Sequence, residues 1–479
     1  MTTNAGTPAD PSPPPDEGAV RARATKHGQE HVFRFFDGLG PSEKSALLEQ
    51  LDRIDFALMD RLIQESLVPA TGPAGALAPA PIVRIPATEA ERREEARARE
   101  AGEALLREGK VAVLLVAGGQ GSRLGFDGPK GAFVIGPVSQ RTLFQLHAEK
   151  IRALARRHGM PIPWYVMTSE SNHQATIDEF ARHDFHGLDR EDVRFFQQEM
   201  LPAVDRQGKF LLESRGRVFT SPNGHGGSLK ALHDSGSLAD MRSRGIELVF
   251  YFQVDNPLVV MCDPVFIGRH ALARAEISSK VVRKAGWQEK VGVIGLRDGK
   301  LTVIEYSDLP EAEAKAMLPD GSLKYWAGSI AIHVLSVGFV ERLNRGSFRL
   351  PFHVAEKAIP CVDETGTVVK PKGKNGIKFE TFVFDALEAA SGAVTMEVER
   401  REEFSPVKNA TGEDSPETAR RDLTALHLRW LEAAGARIER EPDGTFRGHV
   451  ELSPLTVLDG AEVARRWKPG TSVGAGFIG

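Results

Sequence analysis

VAVLLVAGGQGSRLG, at 111–125, passes without a break from a β-branched apolar run into a glycine-rich loop. A short run of this kind, bounded by glycines, reads as a strand buried on both faces. Glycines at its carboxyl end let backbone N–H groups come close to an anion. That end is also where open α/β sheets bind their ligands. The loop supplies Arg123, and Pro129-Lys130-Gly131 follows it closely with Lys130. A guanidinium can grip phosphate oxygens bidentately, and a lysine acts as a point charge. No Gly-x4-Gly-Lys-[Ser/Thr] loop is present. The dinucleotide fingerprint is broken, because Leu124 stands where its third glycine belongs. Gly125, Gly128, Pro129 and Gly131 would also interrupt the helix that motif needs. The pattern that remains is a nucleotidyltransferase loop holding a triphosphate along an extended backbone.

Outward from this point, WYVMTS (164–169), VRFFQQ (193–198) and ELVFYFQVD (247–255) read as further buried strands. Weaker strand patterns lie at 291–296, 301–306 and 327–333. TLFQLHAEKIRALARRHG (142–159) reads as a helix ending at Gly159. Thr88 with Glu91 forms a capping box for another helix, ending near Gly109. Leu47, Leu48, Leu51 and Ile54 keep helical spacing behind Pro41. Alternating strands and helices predict an α/β fold: a mostly parallel, Rossmann-like sheet with helices on both faces. The expected boundaries are a Pro-rich disordered tail (1–18), an N-terminal helical and wrapping segment (19–90), a catalytic domain (91–395) and a small C-terminal domain (396–479). PATGPAGALAPAPIV (69–83) reads as a linker or wrapping arm.

The 479 residues are 41% hydrophobic and 26% charged, with 61 Lys+Arg against 65 Asp+Glu. A net charge of −4 gives no global pull towards nucleic acid or an anionic membrane, so any phosphate site must be local. No apolar run approaches the length of a membrane helix. Cys262 and Cys361 cannot make a disulfide framework. The start lacks the basic and apolar regions of a signal peptide, and the expected compartment is the cytoplasm.

VAVLLVAGGQGSRLG, PKGAF and TLFQLHAEKI, followed in order by FFQQEMLPA, PNGHGGSLKAL, FQVDNPLV, VIEYS, LPFHVAEKAIPCVD, NGIKFETFVFD and EFSPVKNA, resemble the UDP-sugar pyrophosphorylases. The resemblance is to the eukaryotic-type UDP-N-acetylhexosamine pyrophosphorylases and covers roughly 90–435. It implies UTP and a hexose 1-phosphate as substrates and Mg²⁺ as cofactor. Val116, Ala117, Gly118, Gly119, Gln198 and Gly224 are the UTP contacts it implies, with Gln197 the alternative to Gln198 one residue away. Asp255 is the implied metal ligand. Arg123, Lys130, Lys378 and Lys408 would neutralise phosphate charge. Glu305, Tyr306, His225 and Ser329 fall at sugar positions.

Two of those positions depart from the branch. It usually has Gly-Asn-Gly-Gly where this chain has Gly224-His225-Gly226-Gly227, and Ala-Gly-Asn where this chain has Ala327-Gly328-Ser329. Gly-His-Gly is usual in the glucose branch. The expected reaction is uridylyl transfer to a hexose 1-phosphate, N-acetylglucosamine 1-phosphate first. Glucose 1-phosphate is the alternative substrate, and a non-catalytic UTP or UDP-sugar sensor the alternative class.

Overall fold

The computed structural model describes residues 15–67, 75–345 and 350–479. The chain forms two compact units. The first comprises Met1–Thr71, Met200–Gly224 and Phe352–Thr381; the second comprises Gly72–Glu199, His225–Pro351 and Phe382–Gly479.

In the first unit, α1 (Glu17–Lys26), α2 (Pro41–Arg53) and α3 (Phe56–Leu67) carry the N-terminal helical pattern. Leu47, Leu48 and Leu51 of α2 are buried, as their spacing predicts. They pack with Phe33, Phe36, Phe56 and Met59 against Leu201, Val204, Phe210, Ile377 and Phe379, which arrive from two distant segments. Gln29 ties the pieces together: its amide donates to the Gly208 carbonyl and accepts from the Phe210 N–H, both at 2.9 Å. The linear reading of 91–395 as one domain therefore differs from the contact units, because 200–224 and 352–381 pack with the N-terminal helices instead. Such long-range pairing leaves no local periodicity to read. The expected tail lies outside the described residues up to residue 14, and α1 begins at Glu17, inside its expected bounds, behind the N-cap Asp16.

The second unit holds a ten-stranded sheet. Its strands are β1 (Leu77–Pro79), β2 (Val111–Val116), β3 (Trp164–Thr168), β4 (Val193–Gln197), β5 (Leu248–Gln253), β6 (Ile277–Arg283), β7 (Val293–Arg297), β8 (Lys300–Ile304), β9 (Ala327–Ser336) and β10 (Ala393–Glu397). β5, β2, β3 and β4 lie side by side and parallel. Antiparallel β9 flanks β5 and pairs in turn with β6 and β7. β1 and β8 pair with β7, and β10 runs parallel to β6. The wrapping arm thus contributes an edge strand at 77–79. A second contact of the arm is Val83, which bridges to Met396 of β10.

Alternation along β2 sends Val111, Val113 and Leu115 into one core and Ala112 and Leu114 into the other. The first core is covered by α4 (Glu89–Arg107), α5 (Leu143–His158) and α7 (Pro264–Leu272). The second is covered by α6 (Gly227–Asp234) and α8 (Val337–Arg345). The Thr88–Glu91 capping box and the Gly159 C-cap form as their residues predict.

β6 had no strand signature, because Ser278, Ser279 and Lys280 interrupt its apolar pattern. Lys280 is nonetheless fully buried, ion-paired to Asp263 at 2.8 Å and to Glu403. The expected boundary at 395/396 cuts through β10. α9 (Pro416–Ala433) serves two cores: Ala419, Leu423 and Leu426 pack on the sheet, while Leu428 and Leu431 join Val450, Leu452, Val463 and Val473 of the terminal segment. Among the described residues no helix is long and apolar enough to cross a membrane.

Burial pushes His147 and His333 down to about 3, and His270 and His427 down to about 4. These rings fold neutral, while the unfolded chain binds protons at them below pH 6.5. Their contribution is present above that pH and is lost as pH falls. We expect each to cost about 2 kcal/mol of stability at pH 5 relative to pH 7. Urea unfolding across that range checks the slope.

Candidate active site

The parallel register brings the carboxyl ends of four strands into line. Val116 of β2 lies opposite Met167 of β3 and Gln253 of β5, and Thr168 of β3 lies opposite Gln197 of β4. One step beyond these ends stand Ala117-Gly118, Ser169, Gln198 and Val254-Asp255. Four segments far apart in sequence therefore share one rim.

The glycine-rich loop folds back on itself at this rim. Gly121 N–H donates to the Gly128 carbonyl at 2.9 Å, and Lys130 N–H donates to the Gly119 carbonyl at 3.1 Å. Gly125 takes a left-handed φ of +69° after the short turn Ser122–Leu124. From behind, Asn172 Nδ2 donates to the Ala117 carbonyl at 2.8 Å and the Gly119 carbonyl at 3.2 Å. Ser169 Oγ donates to the Gly118 carbonyl at 2.8 Å. Ser169 and Asn172 are fully buried, so the loop is held on a rigid support. Sequence reasoning missed both residues; the signal available was polar side chains directly after a buried strand.

Gln198 is buried and Gln197 is exposed. A Cβ built on Gly118 would lie 2.1 Å from Gln198 Nε2, so the amide packs directly over that glycine. Geometry therefore places Gln198, not its neighbour, against the loop.

Lys130 and Asp255 meet: Nζ lies 2.9 Å from Oδ2, with both side chains mostly buried. Val254, just before Asp255, donates to the Val116 carbonyl at 3.2 Å, fixing the turn to β2. The carbonyl of Asp255 accepts from Val407 N–H at 2.9 Å, which brings the segment carrying Lys408 to the same turn. Lys408 itself is half-exposed, 3.5 Å from Asp414. Arg123 is exposed at the tip of the loop. On the other side of the turn, Lys150 of α5 donates to the carbonyls of Pro257 and Val259 at 2.6 and 2.9 Å. Burial pushes its amine down to about 7, with Glu403 opposing.

Among the described residues no group of three or more His, Cys, Asp or Glu side chains gathers as a metal cage. The crevice carboxylate of Asp255 suits Mg²⁺, which characteristically binds one or two carboxylates and completes its shell with water and substrate phosphate.

Two of the positions that the resemblance gives to the sugar meet beside β9. Ser329 N–H donates to the Gly292 carbonyl at 2.8 Å, and a Cβ on Gly292 would lie 3.0 Å from Glu305 Oε1, so Glu305 and Ser329 converge there. Tyr306 is half-exposed beside them. His225 Nδ1 accepts from Val383 N–H at 3.2 Å, which puts the neutral ring's proton on Nε2. The ring stacks on Phe382 with centroids 5.2 Å apart.

Gly224 and Lys378 belong to the first unit. Gly224 has φ +84°, and a Cβ there would lie 2.3 Å from the Thr381 carbonyl oxygen. Its glycine is thus required by its own fold. Lys378 lies on the strand Gly376–Glu380, with Nζ 5.1 Å from the centre of the Phe219 ring.

A family model described as UTP–glucose-1-phosphate uridylyltransferase matches residues 75–423. UDP-N-acetylhexosamine pyrophosphorylase-like protein 1 of Mus musculus is 43% identical, over 93% of each chain. UDP-N-acetylglucosamine diphosphorylase 2 of Arabidopsis thaliana is 38% identical, over 94% of this chain and 91% of its own. Among solved structures, the uridine diphosphate N-acetylglucosamine pyrophosphorylase of Trypanosoma brucei aligns with a TM-score of 0.81 at 28% identity, covering 98% of this chain and 99% of that one. A family model spanning most of the chain and relatives matched almost end to end leave one assignment: the chain belongs to the UTP–glucose-1-phosphate uridylyltransferase family of enzymes, the UDP-sugar pyrophosphorylases, on the side of the UDP-N-acetylhexosamine pyrophosphorylases.

Proposed function

We propose that the chain transfers the uridylyl group of UTP to N-acetylglucosamine 1-phosphate, giving UDP-N-acetylglucosamine and pyrophosphate. The observation that carries this reading is the convergence of the braced loop, Gln198 and the Lys130–Asp255 pair at the carboxyl ends of parallel strands. The backbone at Val116–Gly119 would hold the nucleotide, and the Gln198 amide, donor and acceptor at once, matches the imide edge of uracil. A phosphate oxygen of the sugar phosphate attacks the α-phosphorus in line, and pyrophosphate leaves from the opposite side. No protein nucleophile is needed; positioning and charge neutralisation supply the rate.

Lys130, between loop and Asp255, would offset charge on the α-phosphate. Arg123, at the loop tip, would grip the leaving pyrophosphate, and Lys408 would face the reacting phosphates from the 403–408 segment. The resemblance alone carries Lys378 to the attacking phosphate and Gly224 to the nucleotide. Asp255 would hold Mg²⁺, which when bound withdraws charge from the phosphate oxygens. Two free cysteines are in keeping with a reducing cytoplasm as the compartment.

The sugar is tested with N-acetylglucosamine, N-acetylgalactosamine and glucose 1-phosphates side by side. We expect kcat/KM for the first to exceed that for glucose 1-phosphate by about tenfold or more. A preference for glucose 1-phosphate would assign His225 and Ser329 to a pocket remade for the smaller sugar.

A further inference from the structure

The turn bearing Asp255 and the segment bearing Lys408 are far apart in sequence; the Asn256 side chain joins them, beside a longer contact from Val260 N–H to the Glu403 carboxylate at 3.3 Å. Asn256 is buried at 4% exposure, and both ends of its amide are used. Nδ2 donates to the Glu403 carbonyl at 2.7 Å. Oδ1 accepts from Ser405 N–H at 3.1 Å and from Leu258 N–H at 3.3 Å. An amide offers donor and acceptor from one planar group with no change of charge. Immediately beyond, Val407 N–H meets the Asp255 carbonyl at 2.9 Å.

The segment does not depend on Asn256 to stay on the protein. Its start is anchored by the Glu403 carboxylate on buried Lys280, which is also paired with Asp263. Ser405 Oγ donates to Asp422 Oδ2 on α9 at 2.8 Å. What Asn256 adds is register: it fixes 403–405 against the turn, three residues before Lys408. Lys408 N–H donates to the Asp414 carbonyl at 2.6 Å, a bond within the 408–414 loop that does not tie Lys408 to the Asp255 turn. Its ammonium is half-exposed, 3.5 Å from Asp414 and 5.6 Å from the Phe404 ring centre.

We propose that Asn256 is a positioning residue, holding the Lys408 segment in register with the Asp255 turn so that the two charges meet the substrates as one rigid group. This rests on the uridylyl-transfer reading. A misplacement of about 1 Å at a charge-neutralising group can cost of order 10²-fold in rate. Asn256→Asp keeps the acceptor but loses the donor, and sets a like charge beside Asp255.

The test is a double-mutant cycle on the full chain with saturating UTP, Mg²⁺ and N-acetylglucosamine 1-phosphate. Asn256→Ala is expected to lower kcat by roughly 30-fold while leaving KM for UTP within about threefold. Asn256→Asp is expected not to rescue it. Because Asn256 acts through Lys408, adding Asn256→Ala to Lys408→Ala should cost little beyond Lys408→Ala alone. Fully additive losses would overturn the inference, as would a Lys408→Ala variant with wild-type turnover. A second readout needs no activity: hydrogen exchange in the substrate-free protein, where Asn256→Ala should speed exchange at 404–408 without reaching β5. Unchanged exchange there also overturns it. If the wild-type protein transfers no uridylyl group, the proposed function fails by itself, and the exchange experiment decides the role of Asn256.

Discussion

Asp255→Asn should lower turnover by roughly 10³-fold, equivalent to about 4 kcal/mol of transition-state stabilisation. The side chain is nearly isosteric, so the turn fixed by Val254 and Val407 should survive. What is lost is the charge that pairs with Lys130 at 2.9 Å and would hold Mg²⁺. In the substrate-free protein each of these two charges offsets the other. With a triphosphate in the crevice, Lys130 would be drawn to phosphate, leaving the Asp255 carboxylate free to hold a cation. Asp255→Asn leaves Lys130 without its partner, so a loss of up to a few kcal/mol in stability accompanies the loss of turnover. Steady-state kinetics with thermal unfolding on the same sample separates the two effects. Turnover within tenfold of wild type would remove Asp255 from the reaction.

Gly118→Ala should weaken productive UTP binding, raising KM for UTP by about 10² or more, which is about 2.7 kcal/mol. The new methyl would lie 2.1 Å from Gln198 Nε2, and the amide is buried, so either the loop or Gln198 must move. Gly119→Ala is the informative control. Nothing lies within 4 Å of a Cβ at Gly119, so the protein alone tolerates it. If the backbone there lies close to bound phosphate, Gly119→Ala raises KM for UTP with no change in melting temperature, whereas Gly118→Ala changes both. Titration calorimetry with UTP, alongside thermal unfolding, reads the contrast. Unchanged UTP affinity in both variants would place the nucleotide elsewhere.

The parts of this site that were legible in the sequence are those written in short-range pattern. The run at 111–117 announced a strand buried on both faces, and that strand contributes side chains to both cores of the sheet. Strand alternation also separates buried Gln198 from exposed Gln197. What was not legible depends on long-range contact. Ser169 and Asn172 look like loop polars until the fold brings them under Gly118. Lys280 gives its strand no local signal, since its two carboxylate partners lie 17 residues before and 123 residues after it. The excursions at 200–224 and 352–381 carry no local sign that they pack with helices near the amino terminus.

The most direct measurement mixes purified protein, UTP, Mg²⁺ and N-acetylglucosamine 1-phosphate and follows pyrophosphate and UDP-sugar together. The expected result is equal amounts of both products, with no pyrophosphate released when the sugar phosphate is left out. UTP binding without either product, or pyrophosphate released from UTP alone, would contradict in-line transfer to a sugar phosphate at this crevice.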